Sequence, residues 1–313
     1  MKKLSTIKIS KEIKEEKEGK MKRILQTSLG VGFYFYVLAT VLTVVGCGRN
    51  KVTDEEAVES IVRSSEWFQC TSYQENDSSA TTQSKGKGDA LGDTLFWWRS
   101  VPDTGRHYNV NVQVSGDSAY VSWTLTSNGK FNIIGKKNGS DWWAGAKPLE
   151  EVLTRNAIFL RTGNRSNRNK GWELKQISKI YGYSQPTHTV RIDSIRIQSV
   201  TYPDTILKDP LTSVLKMDRI MKFSPEESVT VTLYTNTSNG EAYLHVFEPI
   251  FPYHLRILMK NNGDGSYTNA QKWCIQTIPS VRHAVFDLIN VNTIHDTEYA
   301  YDCDDWFYPY SNK

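Results

Sequence analysis

Hydrophobic and polar residues change period several times along this chain, and each change marks an element. An uncharged, largely apolar run from Leu29 to Val45 follows Met21, Lys22 and Arg23. It has about the length of a signal-sequence core and falls short of the roughly 20 residues of a bilayer-spanning helix. After a short polar tether come Thr53-Asp54-Glu55-Glu56, an N-cap with an acidic first turn. Ala57, Ile61, Val62 and Phe68 then recur at helical spacing, which predicts a helix to about Phe68. Ser72 to Asp93 contains almost nothing apolar and reads as a long exposed loop.

The period then shortens to two. Tyr108, Val110, Val112 and Val114 alternate, Gly116-Asp117 supplies a turn, and Ala119, Val121, Trp123 and Leu125 alternate again, predicting a hairpin. Asn128-Gly129 reads as a second turn, with a third strand beginning at Phe131. Arg155 to Arg161 and Gly171 to Ile177 read as two further strands, separated by a polar loop. From Thr189 onward, short alternating segments separated by turn residues predict a β-sandwich, and the aromatic C-terminal stretch "AYDCDDWFYPYSNK" is expected to pack onto it.

Three stretches carry resemblances. Val44-Val45-Gly46-Cys47 resembles the bacterial lipobox, which implies cleavage before Cys47, fatty acylation of that thiol (a palmitate-type anchor) and attachment to a membrane through the new N-terminus. The pieces "GDSAYVSWTL", "RNAIFLRTG" and "GWELKQIS", with Trp172 and Leu174 as a Trp-x-Leu pattern, resemble the NTF2-like superfamily. That resemblance implies an α+β domain in which an N-terminal helix packs on a curved antiparallel sheet to form a cone. The stretches "FSPEESVTVTLYTN", "MKNNGDGSYT" and "IPSVRHAVFDLIN" look like bacterial immunoglobulin-like domains, implying an all-β sandwich. The expected organisation is therefore an upstream extension and signal peptide over 1–46, a lipidated tether over 47–52, an NTF2-like domain over 53–186 and an Ig-like sandwich over 187–313. Met21 is the expected start of translation.

Charge changes the picture once the signal is set aside. The segment before Cys47 carries 9 of the 38 Lys and Arg residues and 4 of the 34 Asp and Glu, leaving 29 basic against 30 acidic residues. The basic balance belongs to the signal, so nucleic-acid binding is not implied. With Cys47 acylated, Cys70, Cys274 and Cys303 remain. Cys274 and Cys303 are the expected disulfide in an oxidising compartment, set against two unpaired buried thiols.

Candidate chemistry is sparse. The chain has no Gly-x-Ser-x-Gly elbow, no His-Glu-x-x-His, no phosphate-binding Gly-Lys-Ser/Thr loop and no Rossmann fingerprint. No catalytic residue, metal site or cofactor is predicted. The six histidines are expected at surface or half-buried positions, with His107 a nominal candidate inside the cone. Trp97, Trp98, Trp123, Trp142 and Trp143 are candidate ligand-binding residues of the cone, or else the filling of its core. Asn261 to Ser266 reads as a hairpin turn rather than a calcium loop, and Asp302, Asp304 and Asp305 as a solvated strand end. The expectation is a non-catalytic cell-envelope lipoprotein with a binding or structural role toward an envelope protein or glycan. Gly48 is not the Asp associated with inner-membrane retention, which favours the outer membrane or cell surface. The alternative is a carrier of a small apolar ligand or glycan, and less readily an enzyme, using the cone.

Overall fold

The computed structural model describes residues 52–69, 94–136, 142–247, 254–269, 273–275, 281–296 and 298–312. The lipobox, Cys47, Cys70 and the loop expected over 72–93 lie outside them. Thr53 to Lys313 forms one compact unit.

Helix α1, Asp54–Ser64, begins where the sequence places it. Thr53 Oγ1 accepts from the Glu56 N–H at 3.1 Å and Glu56 Oε2 accepts from the Thr53 N–H at 2.7 Å, a reciprocal capping box that satisfies two otherwise orphaned donors. Ala57, Val58 and Val62 form its buried stripe. The helix is tied to the sheet by Asp54, which receives both Arg161 Nη1 at 3.1 Å and Nη2 at 2.8 Å. The Arg161 guanidinium in turn lies 4.2 Å from the centre of the Trp172 ring.

Among the described residues, everything else of substance is strand. The chain runs β1 (Thr94–Ser100), β2 (Arg106–Ser115), β3 (Ser118–Lys136), β4 (Trp142–Arg161), β5 (Trp172–Ile177) and β6 (Ile180–Ser184). It continues through β7 (Ile192–Gln198), β8 (Thr205–Leu207), β9 (Leu215–Lys216), β10 (Met221–Phe223) and β11 (Ser228–Thr235). Then follow β12 (Gly240–Phe247), β13 (His254–Asn261), β14 (Ser266–Asn269), β15 (Trp273–Cys274), β16 (Val281–Asn290), the short helix α2 (Val291–His295) and β17 (Cys303–Asn312). Lys147 caps the end of α2 and the turn after it: its Nζ donates to the carbonyls of Thr293, Asp296 and Tyr299 at 2.7, 2.7 and 2.6 Å, the first a group of the kind that a helix end leaves without a partner.

The β2–β3 hairpin forms as its alternation predicts, with Ser115 opposite Ser118 and Gly116 at φ +62° in the turn. The predicted turn at Asn128-Gly129 does not form. β3 runs straight through it for 19 residues, pairing with β2 at its start, β1 at its end and β4 throughout. Gly129 serves close approach instead, since a Cβ there would lie 2.3 Å from the Ser100 carbonyl oxygen.

From β4 the ladder passes to β6, then to β17, β16, β12 and β13. β13 changes partner along its length: Leu255 to Leu258 pair with β12, and Met259 to Asn261 with β14, from which the ladder continues through β11 to β7 and β8. The sheet also curls. Arg256 of β13 reaches β1, where its Nη2 donates to the Trp97 carbonyl at 3.0 Å and its guanidinium lies 3.6 Å from the Trp97 ring centre.

The expected α+β NTF2-like cone is overturned. Among the described residues the fold is all-β, with α1 and α2 as its two helices. One 11-residue helix is too little to cap a cone, and the sheet expected to close one instead continues through β6 into β17. The C-terminal aromatic stretch is not a tail on the surface but an interior strand. β17 has β16 on one side and β6 on the other, with β10 joining in parallel beyond β6. Both its faces are covered: Trp306, Tyr308 and Tyr310 enter one apolar core, Phe307 a second beneath α1, and Cys303 a third around Trp97 and Phe131.

Candidate functional site

The inward face of the curled sheet carries a belt of charge between its second and third apolar cores. Alternation places it there. On β4, Leu149, Glu151, Leu153, Arg155, Ala157 and Phe159 share one buried face; on β16, Val285, Asp287 and Ile289 do; on β17, Cys303, Asp305 and Phe307 do. Arg99 enters from β1, between buried Trp97 and Val101. Glu151, Asp287 and Asp305 are all fully shielded from solvent, at 0 % exposure.

These groups meet by register. Asp287 stands opposite Asp305 on neighbouring strands, and Asp305 stands opposite Gly182 of β6, which stands opposite Leu153 of β4. Because Gly182 has no side chain, the Asp305 and Glu151 carboxyls meet across β6 and hydrogen-bond one another. One donor atom each from Glu151, Cys303 and Asp305 lies within 4.8 Å of the other two. Cys303 Sγ donates to Asp305 Oδ2 at 3.4 Å.

Asp287 is the anchored member. Its Oδ2 accepts from Arg99 Nη2 at 2.8 Å and lies 2.9 Å from His245 Nε2, and Arg99 Nε also donates to the Tyr301 hydroxyl at 2.8 Å. Burial by itself would raise the Asp287 pKa, but the Arg99 charge and the His245 contact outweigh it and hold the carboxyl below the usual carboxylate range. Glu151 and Asp305 go the other way. Burial, reinforced for both by neighbouring carboxylates, pushes them up, and burial likewise pushes the Cys303 thiol up. The arrangement can therefore hold protons, or a cation, where an unshielded carboxylate pair could not persist.

The other sequence candidates are dispersed. Trp97 is buried in the third core, packed on Phe131 with ring centres 5.0 Å apart and flanked by the guanidinium of Arg256. Trp143 packs at the margin of that core, whereas Trp123 belongs to the second, beside Phe68 and Tyr108. Trp142 is exposed and stacks on Phe96, and Trp98 is half-buried. Of the five, only Trp123 lines one of the clefts described below. His107 is exposed.

Three expectations need correcting. Asp302, Asp304 and Asp305 are buried rather than solvated, because β17 is covered on both faces: Asp304 Oδ2 contacts the Tyr181 hydroxyl and His188, and Asp302 accepts from Thr189 and Asn290. His245 and His283 are buried rather than at the surface. Cys303, expected to pair with Cys274, is a free buried thiol. Asn261 to Ser266 does form a turn, with Asp264 Oδ1 taken up by Ser266 N–H and Oγ and Asn261 Oδ1 by the Gly263 N–H.

The sequence offered one signal for the belt that periodicity alone left unread: Glu151, Asp287 and Asp305 each interrupt the buried face of a strand whose neighbours at i±2 are largely apolar. Among the described residues, clefts open outside it. One of about 330 Å³ lies between Tyr181, Trp306 and Leu211, one of about 300 Å³ between Tyr120, Asn111 and Asn156, and one of about 280 Å³ between Trp123, Phe68 and Arg63. None of the three is lined by Arg99, Glu151, Asp287, Cys303 or Asp305. No family model, no curated protein and no solved structure matches this chain.

Proposed function

We propose that the chain is an exported lipoprotein, acylated on Cys47, whose β-rich body is a non-catalytic binding module held at the cell envelope. The observation that carries the reading is the short distance between two features. The lipobox ends at Cys47, and the compact unit begins at Thr53, the capping residue of α1, so only a short tether separates a lipidated residue from folded structure. The direct test is Cys47→Ser in the full chain. The native chain partitions into the membrane fraction and incorporates labelled palmitate, and the variant does neither. A variant that still fractionates with membranes and carries label would overturn the reading.

The outer cleft on β2, β3 and β4 favours a glycan as the bound partner. Asn111, Gln113, Ser122 and Asn156 present amides and a hydroxyl around Tyr120, which is 54 % exposed. A few polar groups that fix orientation around an aromatic surface suit a ring with hydroxyls at its edge and hydrocarbon on its face. Weakened retention of the Tyr120→Ala variant on cell-wall polysaccharide, at unchanged melting temperature, supports this partner class. Equal retention of the two proteins argues against it.

A further inference from the structure

The charge belt has a composition that hydrogen bonding among its own members does not exhaust. Asp305 is 0 % exposed, and its carboxyl meets Cys303, Glu151 and, on the adjacent strand directly opposite, Asp287. Asp287 Oδ2 is held by Arg99 and His245, but Oδ1 of Asp287 and Oδ1 of Asp305 have no N–H or hydroxyl donor. Buried carboxyls that face one another are satisfied only when a proton or a cation stands between them. Here three such carboxyls crowd a thiol.

We propose that Glu151, Cys303 and Asp305 form a buried site for one divalent transition-metal ion of the zinc class, with Asp287 beside it. Three donor atoms already lie within 4.8 Å of one another, and bonds of roughly 2.0 to 2.3 Å to a central ion would draw them closer by small side-chain rotations. A thiolate beside carboxylates selects a borderline-soft ion over calcium or magnesium, which take all-oxygen sets. Space is provided by Gly182: a Cβ at that position would lie 3.0 Å from Asp305 Cβ and 2.5 Å from Leu153 Cδ2, in the gap through which Glu151 and Asp305 meet.

The surroundings fit as well. Arg99 and His245 hold Oδ2 of Asp287, which in turn hydrogen-bonds Asp305, the kind of arrangement in which outer groups orient a metal-binding carboxylate. The thiolate is the form that binds a metal, so binding displaces the Cys303 proton. Glu151, Cys303 and Asp305 are each 0 % exposed, so an ion held there is structural and its binding stabilises the fold.

The test uses the full chain, purified in detergent without chelator or metal-affinity tag from zinc-supplemented medium. Elemental analysis is expected to give close to one zinc per chain, and Cys303→Ser and Glu151→Gln to lower this at least tenfold, while Cys274→Ser retains it. A second measurement needs no variant: cobalt bound here acquires a thiolate-to-metal charge-transfer absorption, because Cys303 is a ligand. Zinc added to metal-free protein raises the melting temperature. Metal-free protein from this preparation, with no zinc-dependent melting shift, overturns the site and leaves the belt neutralised by protons. Bound metal without the cobalt thiolate band, or bound equally by Cys303→Ser, overturns it in favour of a site elsewhere.

Discussion

Asp305 of β17 and Glu151 of β4 do not lie on adjacent strands; they meet over Gly182 of β6, the strand between them. A single missing side chain thus lets two buried carboxyls share one position in the core. Gly182→Ala places a methyl group 2.5 Å from Leu153 Cδ2 and 3.0 Å from Asp305 Cβ, with both neighbours fully buried. The expected cost is about 1 to 3 kcal/mol, the usual penalty of overpacking. Urea denaturation of the two proteins measures it, and an unchanged midpoint would show that the strand can shift to make room.

Arg99 and Asp287 form an ion pair with both side chains at 0 % exposure, at 2.8 Å. Removing either partner strands the other charge, so Arg99→Met and Asp287→Asn are each expected to cost about 3 to 5 kcal/mol, whereas the double variant costs less than the sum of the two. A double-mutant cycle by chemical denaturation checks this. Additive losses would show that the pair is not coupled.

Glu227 gives the chain an acid-labile clasp. Its carboxylate accepts from the Thr201 N–H at 2.7 Å, the Thr201 hydroxyl at 2.8 Å and the Ser224 N–H at 2.9 Å. Burial by itself would raise its pKa, but the hydrogen bonds from Ser199, Ser224 and Thr201 together outweigh this and lower it to about 2. A carboxyl whose folded pKa is depressed contributes stability above its unfolded value, near 4.3. That contribution is lost as pH falls from there to about 2. Glu227→Gln is therefore expected to lower the melting temperature at neutral pH, with the difference from the native chain narrowing steadily below pH ~4. A difference that stays constant down to pH ~2 would remove the carboxylate from the account.

Asp54 serves the first turn of α1 and the sheet together. It lies at the helix N-terminus, where negative charge is favoured, and takes a two-pronged bond from Arg161. Asp54→Asn is expected to cost about 1 to 2 kcal/mol, and Thr53→Ala about 1 kcal/mol through the lost capping box. Amide exchange read by mass spectrometry locates the effect: protection drops over Asp54–Ser64 while β16 keeps its own. Uniform loosening of both segments would show that α1 is not an independently frayed element.

What the sequence determined was local. The capping box at Thr53, the β2–β3 hairpin turning at Gly116-Asp117 and the period-two strands after Thr189 were legible because each depends on residues a few positions apart. Asn128-Gly129 misled because a turn dipeptide also fits a strand where another backbone passes close, as Ser100 does here. The architecture was decided elsewhere. Nothing in the alternation of β4 or β17 says that β6 comes between them, and that adjacency makes one all-β sheet of what reads as a cone and a sandwich. The same pairing turns Asp302, Asp304 and Asp305 from a hydrophilic strand end into buried groups. Burial is settled by which surfaces cover a strand, and β17 is covered on both faces by residues distant in sequence.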